Sequence, residues 1–347
     1  MPDFHYLTTH VGSVPHPNTG DLPARLASLL DIPAWTQHPK RSFRESMYVQ
    51  FASSLPAVIE NEENERIIVD TRSDLTSALE VFYSAYLADE LEAFSLQPSY
   101  ASGFFAMMDA LKSTVGTWAK GQVTGPVSFG LTVTDQDLRA ILYNDLLADV
   151  IVKNVAMIAR WQARQLKAMR PNAIIFLDEP YMSSFGSAFI SLSREQVITF
   201  LDEVIEGIHS EGALAGVHCC GNTDWSVLLA TNIDILNLDA YGYIENLALY
   251  PAELRAFLDR GGATCWGIVP NNEHIFIETA QGLADRLQNG IAMICQKAAG
   301  RGVHIQRDDF ARSSLLAPAC GLGPVSVEIA ERAFDVLTET GRILQKG

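Results

Sequence analysis

The stretch Ala213-Leu214-Ala215-Gly216-Val217-His218-Cys219-Cys220-Gly221-Asn222 passes from an apolar run straight into a polar, glycine-punctuated turn. A short apolar run of this kind is how a strand of a parallel sheet reads, because both of its faces are covered. The same transition recurs on either side. Apolar runs at 117–123, 173–177, 233–238 and 264–269 lead into Thr124-Gly125-Pro126, Asp178-Glu179-Pro180, Asp239-Ala240-Tyr241-Gly242 and Pro270-Asn271-Asn272-Glu273. Between them, 146–169, 194–210, 251–260 and 279–298 carry helical periodicity. Ser193, ahead of Glu195 and Gln196, predicts an N-cap for the second of these helices. Alternating strands and helices predict βα units around a parallel sheet. A closed β/α barrel and an open doubly wound sheet both gather their chemistry in the loops after the strand C-termini. No GxGxxG follows a strand and no phosphate-binding loop motif occurs, which weakens the nucleotide-binding version of the open sheet.

Upstream of residue 117 the pattern is less regular. Helices are predicted over 22–30 and 73–94, and 61–66 reads as a charged, solvated turn. No low-complexity linker or internal repeat divides the chain, so 1–347 is expected to be one domain with an N-terminal elaboration. With 48% hydrophobic and 19% charged residues, the chain can bury a large core. Its 41 acidic against 25 basic residues give a formal charge of −16, which repels nucleic acid and anionic lipid. No apolar stretch approaches the ~20 residues of a membrane helix, and the first residues lack the pattern of a secretory leader. A cytoplasmic location is the expectation. In a reducing compartment the five cysteines are core thiols, metal ligands or nucleophiles rather than a disulfide framework.

His218-Cys219-Cys220 follows its apolar run directly, and alternation along a strand puts His218 and Cys220 on one side and Cys219 on the other. The competing reading is two buried thiols beside a polar histidine. Cys320, in Pro318-Ala319-Cys320-Gly321-Leu322-Gly323, again sits where an apolar run meets a Gly-rich turn. Two sulfurs and an imidazole with a fourth position left over is the make-up of a catalytic zinc site. Cys265 and Cys295, in apolar surroundings, read as inert core thiols.

Taken in order, Thr9-His10-Val11-Gly12-Ser13-Val14-Pro15, Gly121-Gln122-Val123-Thr124-Gly125-Pro126-Val127, Leu177-Asp178-Glu179-Pro180, His218-x-Cys220 and Pro318-Ala319-Cys320-Gly321-Leu322 resemble the C-terminal catalytic barrel of cobalamin-independent methionine synthase, over nearly the whole chain. That superfamily also holds uroporphyrinogen decarboxylase and corrinoid-linked methyltransferases. The resemblance implies a (β/α)8 TIM barrel of parallel strands and a methyltransferase that activates homocysteine as a thiolate on Zn2+. It implies His218, Cys220 and Cys320 as zinc ligands, with Asp239 in the place of a fourth. Asp239 is a methylene shorter than the family's glutamate and either ligates directly or orients His218 from behind. Gly12 and Ser13 match the loop receiving the amino-acid carboxylate. Asp178 matches the acid that binds the substrate ammonium, its alternative being a turn or helix cap.

Two departures shape the expectation. A second acid for the ammonium has no counterpart within 95–105, where Tyr100 and Ser102 are the polar choices. The family's proton-delivering histidine is replaced by Pro270-Asn271-Asn272-Glu273, with His274 displaced along the loop. Folate is a poor leaving group without protonation, so methylcobalamin or a corrinoid protein is the expected donor. Three alternatives stay open: a zinc methyltransferase for another, coenzyme-type thiol; a decarboxylase like that of uroporphyrinogen, for which no Arg-rich N-terminal motif is present; and a non-enzymatic corrinoid- or metal-binding barrel.

Overall fold

A computed structural model describes residues 2–346. Its strands are β1 (Leu7–Thr8), β2 (Val58–Asn61), β3 (Arg66–Val69), β4 (Trp118–Thr124), β5 (Asn172–Asp178), β6 (Leu214–Cys219), β7 (Ile235–Leu238), β8 (Ala263–Val269) and β9 (Ser314–Pro318). Seven of them form one curled parallel sheet in the order β1-β9-β8-β7-β6-β5-β4. Helices separate the strands from β4 onward, as parallel crossovers require.

The expected eight regular strands are not all present among the described residues. Between the edge strands β1 and β4 runs the irregular segment 32–37. Ile32 N–H donates to Thr8 O at 3.0 Å and Gln37 N–H to Gly12 O at 3.1 Å; on the other side Lys120 N–H donates to Pro33 O at 2.9 Å and Trp35 N–H to Lys120 O at 3.3 Å. Pro33 has no N–H to give to a ladder, which keeps this segment from forming a regular strand.

The apolar runs are buried on both faces, which explains their continuous hydrophobicity. Outside the sheet, the helix Asp145–Met169 packs on β4, β5 and the helix Arg194–Ser210. Inside, Trp118, Ile174, Phe176, Ile235, Cys265 and Leu315 form a separate cluster with Phe4 and Ile32. These positions step by two along their strands. The next inward places toward the strand C-termini are therefore Lys120, Asp178, His218 and Asn237, where the interior turns polar.

Other expectations are refined. Ser193 caps Arg194–Ser210 with a full capping box to Gln196. The region 73–94 divides into Thr76–Leu87 and a 3-10 turn at Leu91–Phe94, broken where Asp89 takes a positive φ of 55°. The charged turn at 61–66 closes a hairpin in which Asn61 pairs with Arg66. No helix among the described residues is long and apolar enough to cross a membrane.

Candidate metal and substrate site

At the C-terminal ends of the strands lies a cavity of about 500 Å3, walled by Val11, Ser13, Gln37, Pro39, Lys40, Glu45, Met47, Tyr48, Asp178, Pro180, His218, Cys220, Cys320, Gly321 and Gly323 among others. His218 is the penultimate residue of β6 and is buried, while Cys220 follows the strand and Cys320 follows β9. His218 Nε2 is 3.1 Å from Cys220 Sγ, and the Cys320 thiol lies 2.6 Å from the same sulfur without a disulfide. One donor atom from each of the three lies within 4.8 Å of the others. Cys219, as alternation requires, faces the other way: it is fully buried, and its Sγ–H points to Gly221 O.

The donor set is suited to a metal on its own chemistry. Two soft thiols and an imidazole favour zinc over hard, oxygen-seeking cations. The Cys320 thiol is held well below its ordinary range, chiefly by its hydrogen bond with Cys220 and then, against the effect of burial, by His218. Burial opposes protonation of His218, but the bond to Cys320 and the charges of Cys320 and Asp178 outweigh it and raise its pKa.

Asp178 ends β5 and is 5% exposed, with Oδ1 buried and unpartnered. Burial pushes its pKa up to about 6, against the pull of His218 and Lys120. Capping is not its job. The neighbouring Glu179 accepts from Val127 N–H at 2.9 Å and from Ser128 N–H at 2.7 Å, and so binds the N-terminus of the helix Pro126–Thr132 that follows β4. Lys120, below Asp178, is fully buried; its ammonium donates to Val11 O at 2.8 Å and lies 4.4 Å from the Phe176 ring centroid. Burial lowers its pKa to about 8, with Asp178 partly offsetting the shift.

Ser13 lines the cavity, and the adjacent Gly12 is not among its wall residues. Gly12 has φ of 151°, and a Cβ there would stand 2.7 Å from the Gln122 amide and 2.9 Å from Gln37 Oε1. Backbone conformation and close approach both select glycine. Ser13 Oγ accepts from Gly323 N–H at 3.2 Å, which ties this loop to the Cys320 turn. Asp239 is not one of the three converging donors and does not wall the cavity. Its carboxylate caps the helix Ala240–Leu247 by accepting from Gly242 N–H at 2.7 Å. His10 is buried against Ala34 O, and His16 pairs with Glu331 at 3.0 Å; neither reaches the cavity.

Sequence reasoning missed the wall built by 37–48. Glu45 is its chemically important member: fully buried, bound through Oε1 to Arg41 and to Ser102 N–H, with Oε2 buried and unpartnered. It lies outside the 95–105 window in which a second acid was sought. Its i,i+4 spacing from Arg41 was the one available signal.

Fold and site together define an α/β protein with a three-donor His/Cys/Cys centre at the C-terminal face of a parallel sheet. Two solved structures share the fold over nearly the whole chain. A B12-independent methionine synthase from Shewanella sp. W3-18-1, in complex with selenomethionine, is 17% identical with a TM-score of 0.55, covering 98% of this chain and 97% of its own. A methyltransferase from Methanosarcina mazei is 15% identical with a TM-score of 0.55, covering 96% and 93%. No family model matches the chain, and no curated protein matches it in sequence. The shared fold agrees with the resemblance read from the ordered motifs.

Proposed function

We propose that this protein is a zinc-dependent methyltransferase that methylates the thiol of homocysteine to give methionine, with methylcobalamin or a corrinoid protein as donor. The observation that carries the reading is the convergence of His218 Nε2, Cys220 Sγ and Cys320 Sγ within 4.8 Å on the cavity wall. Three protein ligands leave a coordination place for the substrate sulfur. Zinc, when bound, lowers the pKa of a coordinated thiol so that it is deprotonated at neutral pH.

The chain's own residues hold the rest of the amino acid. Asp178 and Glu45 each bring an unpaired carboxylate oxygen to the ammonium. The backbone around Gly12 and Ser13 meets the carboxylate, and the missing Cβ of Gly12 leaves room for the Gln122 and Gln37 amides that pack against this loop. Asp239 stands outside the cavity wall, with its shorter side chain on the Gly242 cap. In the transfer, a sulfur lone pair forms the S–CH3 bond while the methyl group's bond to the donor breaks, and that electron pair leaves with the donor. A corrinoid donor, if it delivers the methyl group, would take that pair without needing a proton. This suits a site whose only imidazole among the wall residues is His218.

A larger, coenzyme-type thiol is the second reading, favoured by the cavity's size. About 500 Å3 falls in the range of sites for drug-sized ligands and leaves room beyond a small amino acid. X-ray absorption at the zinc edge, with and without homocysteine, tests the function. The expected result is one added sulfur in the shell when homocysteine is present. A shell unchanged by homocysteine but gaining sulfur from a longer thiol selects the second reading, and a shell that takes no external sulfur overturns both.

A further inference from the structure

We infer that Asn237 is a positioning residue for His218: its side-chain oxygen takes the Nδ1–H of the imidazole and leaves Nε2 bare toward the two cysteines. The inference rests on the metal-binding reading above. His218 and Asn237 are register partners on the neighbouring strands β6 and β7, and Ile235, two residues before Asn237, belongs to the interior cluster. Both residues are buried, at 1% and 0% exposure. Each carries one buried side-chain atom without a partner: Nδ1 of the imidazole and Oδ1 of the amide. One can donate and the other can only accept, so a slight rotation satisfies both.

The amide's orientation is not free. Asn237 Nδ2 donates to the backbone carbonyl of Cys265 on β8 at 2.7 Å. A carbonyl cannot donate, so the nitrogen must face Cys265 and the oxygen must face the other way. That fixes the histidine tautomer in turn. An imidazole that gives its Nδ1 proton to an oxygen has a lone pair on Nε2, the form a metal binds. Here Nε2 is the nitrogen 3.1 Å from Cys220 Sγ. Asp239, the other group able to orient His218, is committed to Gly242 N–H. The relay therefore runs from the Cys265 carbonyl through Asn237 to His218 across three adjacent strands, and a helix or loop motion does not disturb it.

Zinc affinity by chelator competition tests this on the whole chain, comparing wild type with Asn237→Leu and Asn237→Asp. Loss of the acceptor should weaken binding about 10- to 100-fold in the leucine variant, and the aspartate, which keeps an acceptor oxygen, should restore most of it. Unchanged affinity in Asn237→Leu overturns the inference. Should that variant fail to fold, imidazole 15N NMR of the zinc-loaded wild type decides: the His218 proton on Nδ1, slow to exchange, supports the relay, and a proton on Nε2 ends it. Affinity and tautomer judge Asn237, whereas turnover judges the proposed function. Zinc bound with no methyl transfer removes only the latter, and a wild type that binds no zinc removes both.

Discussion

Glu45 and Asp178, far apart in the chain, wall the same cavity, and each presents a buried carboxylate oxygen that no group of the protein satisfies. A buried acceptor left open is costly unless a ligand supplies the donor. A substrate ammonium has three such donors.

Glu45→Gln and Asp178→Asn are accordingly expected to raise the KM for homocysteine tenfold or more, because a hydrogen bond to a charged group contributes about 1.5–3 kcal/mol. Zinc content should stay at the wild-type level in both. Steady-state kinetics alongside metal analysis checks this. An unaltered KM in both variants would mean that the ammonium is bound elsewhere.

Cys220→Ala and Cys320→Ala should each lose bound zinc and methyl transfer while the fold persists. Both residues lie beyond the ends of their strands and are only partly buried, so little core packing goes with them. The measurements are metal stoichiometry, turnover and the circular dichroism melt. Normal turnover in metal-free Cys320→Ala protein would falsify the zinc mechanism.

How much of this was legible beforehand follows from where each residue sits. His218 and Cys220 were visible because a strand alternates its faces, and a two-residue spacing then carries geometry. Cys320 was visible because its turn repeats the strand-to-loop transition. Glu45 was not, because it ends the short 3-10 turn Phe43–Glu45, just ahead of a second at Val49–Phe51, with no period to read. Asn237 reads as one polar residue within an apolar run. Its meaning comes from neighbours on β6 and β8, and inter-strand register is a tertiary fact. The missing eighth strand has a local cause in Pro33, whereas the bonds of its segment to β1 and β4 are long-range.

Gly12→Ala should cost about 1–3 kcal/mol of stability, since a φ of 151° is a region that residues with a Cβ rarely occupy. The added methyl would also push on the Gln122 amide and shift the loop that carries Ser13. Urea unfolding should show a lower midpoint with the same slope, and homocysteine affinity should fall in step. A midpoint equal to wild type would remove the argument for glycine.

A pH effect on stability is expected at His209, whose ring nitrogen lies 2.7 Å from Asp234 Oδ2, the same oxygen that accepts from Ala215 N–H on β6. The bond to Asp234 raises the histidine's pKa, against partial burial. A raised folded value means that the protonated pair stabilises fully below the unfolded pKa of about 6.5 and is lost as pH climbs through the folded value. The histidine side chain is 37% exposed, so solvent screening holds the effect to about 0.2–1 kcal/mol, and salt reduces it further. Melting curves of wild type and His209→Gln should converge at alkaline pH and separate below it. Parallel curves throughout would show that the pair contributes nothing.

The proposed corrinoid donor is tested against folate through the groups that could reach it. A methylated folate nitrogen leaves only if something protonates it, and the residue for that task must reach the donor. His274 does not: it is exposed on the 3-10 turn Glu273–Phe276 beside Tyr241 and forms no part of the wall. Tyr48 does line the cavity, but burial pushes its pKa up to about 12, which makes it a weak acid at neutral pH. Corrinoid cobalt needs no proton to depart. Under anaerobic conditions with homocysteine and zinc, methylcobalamin or a methylated corrinoid protein should support methionine formation and methyltetrahydrofolate should not. Turnover with the folate at a comparable rate would overturn this choice and make a wall acid such as Asp178, with its pKa raised to about 6, the proton source.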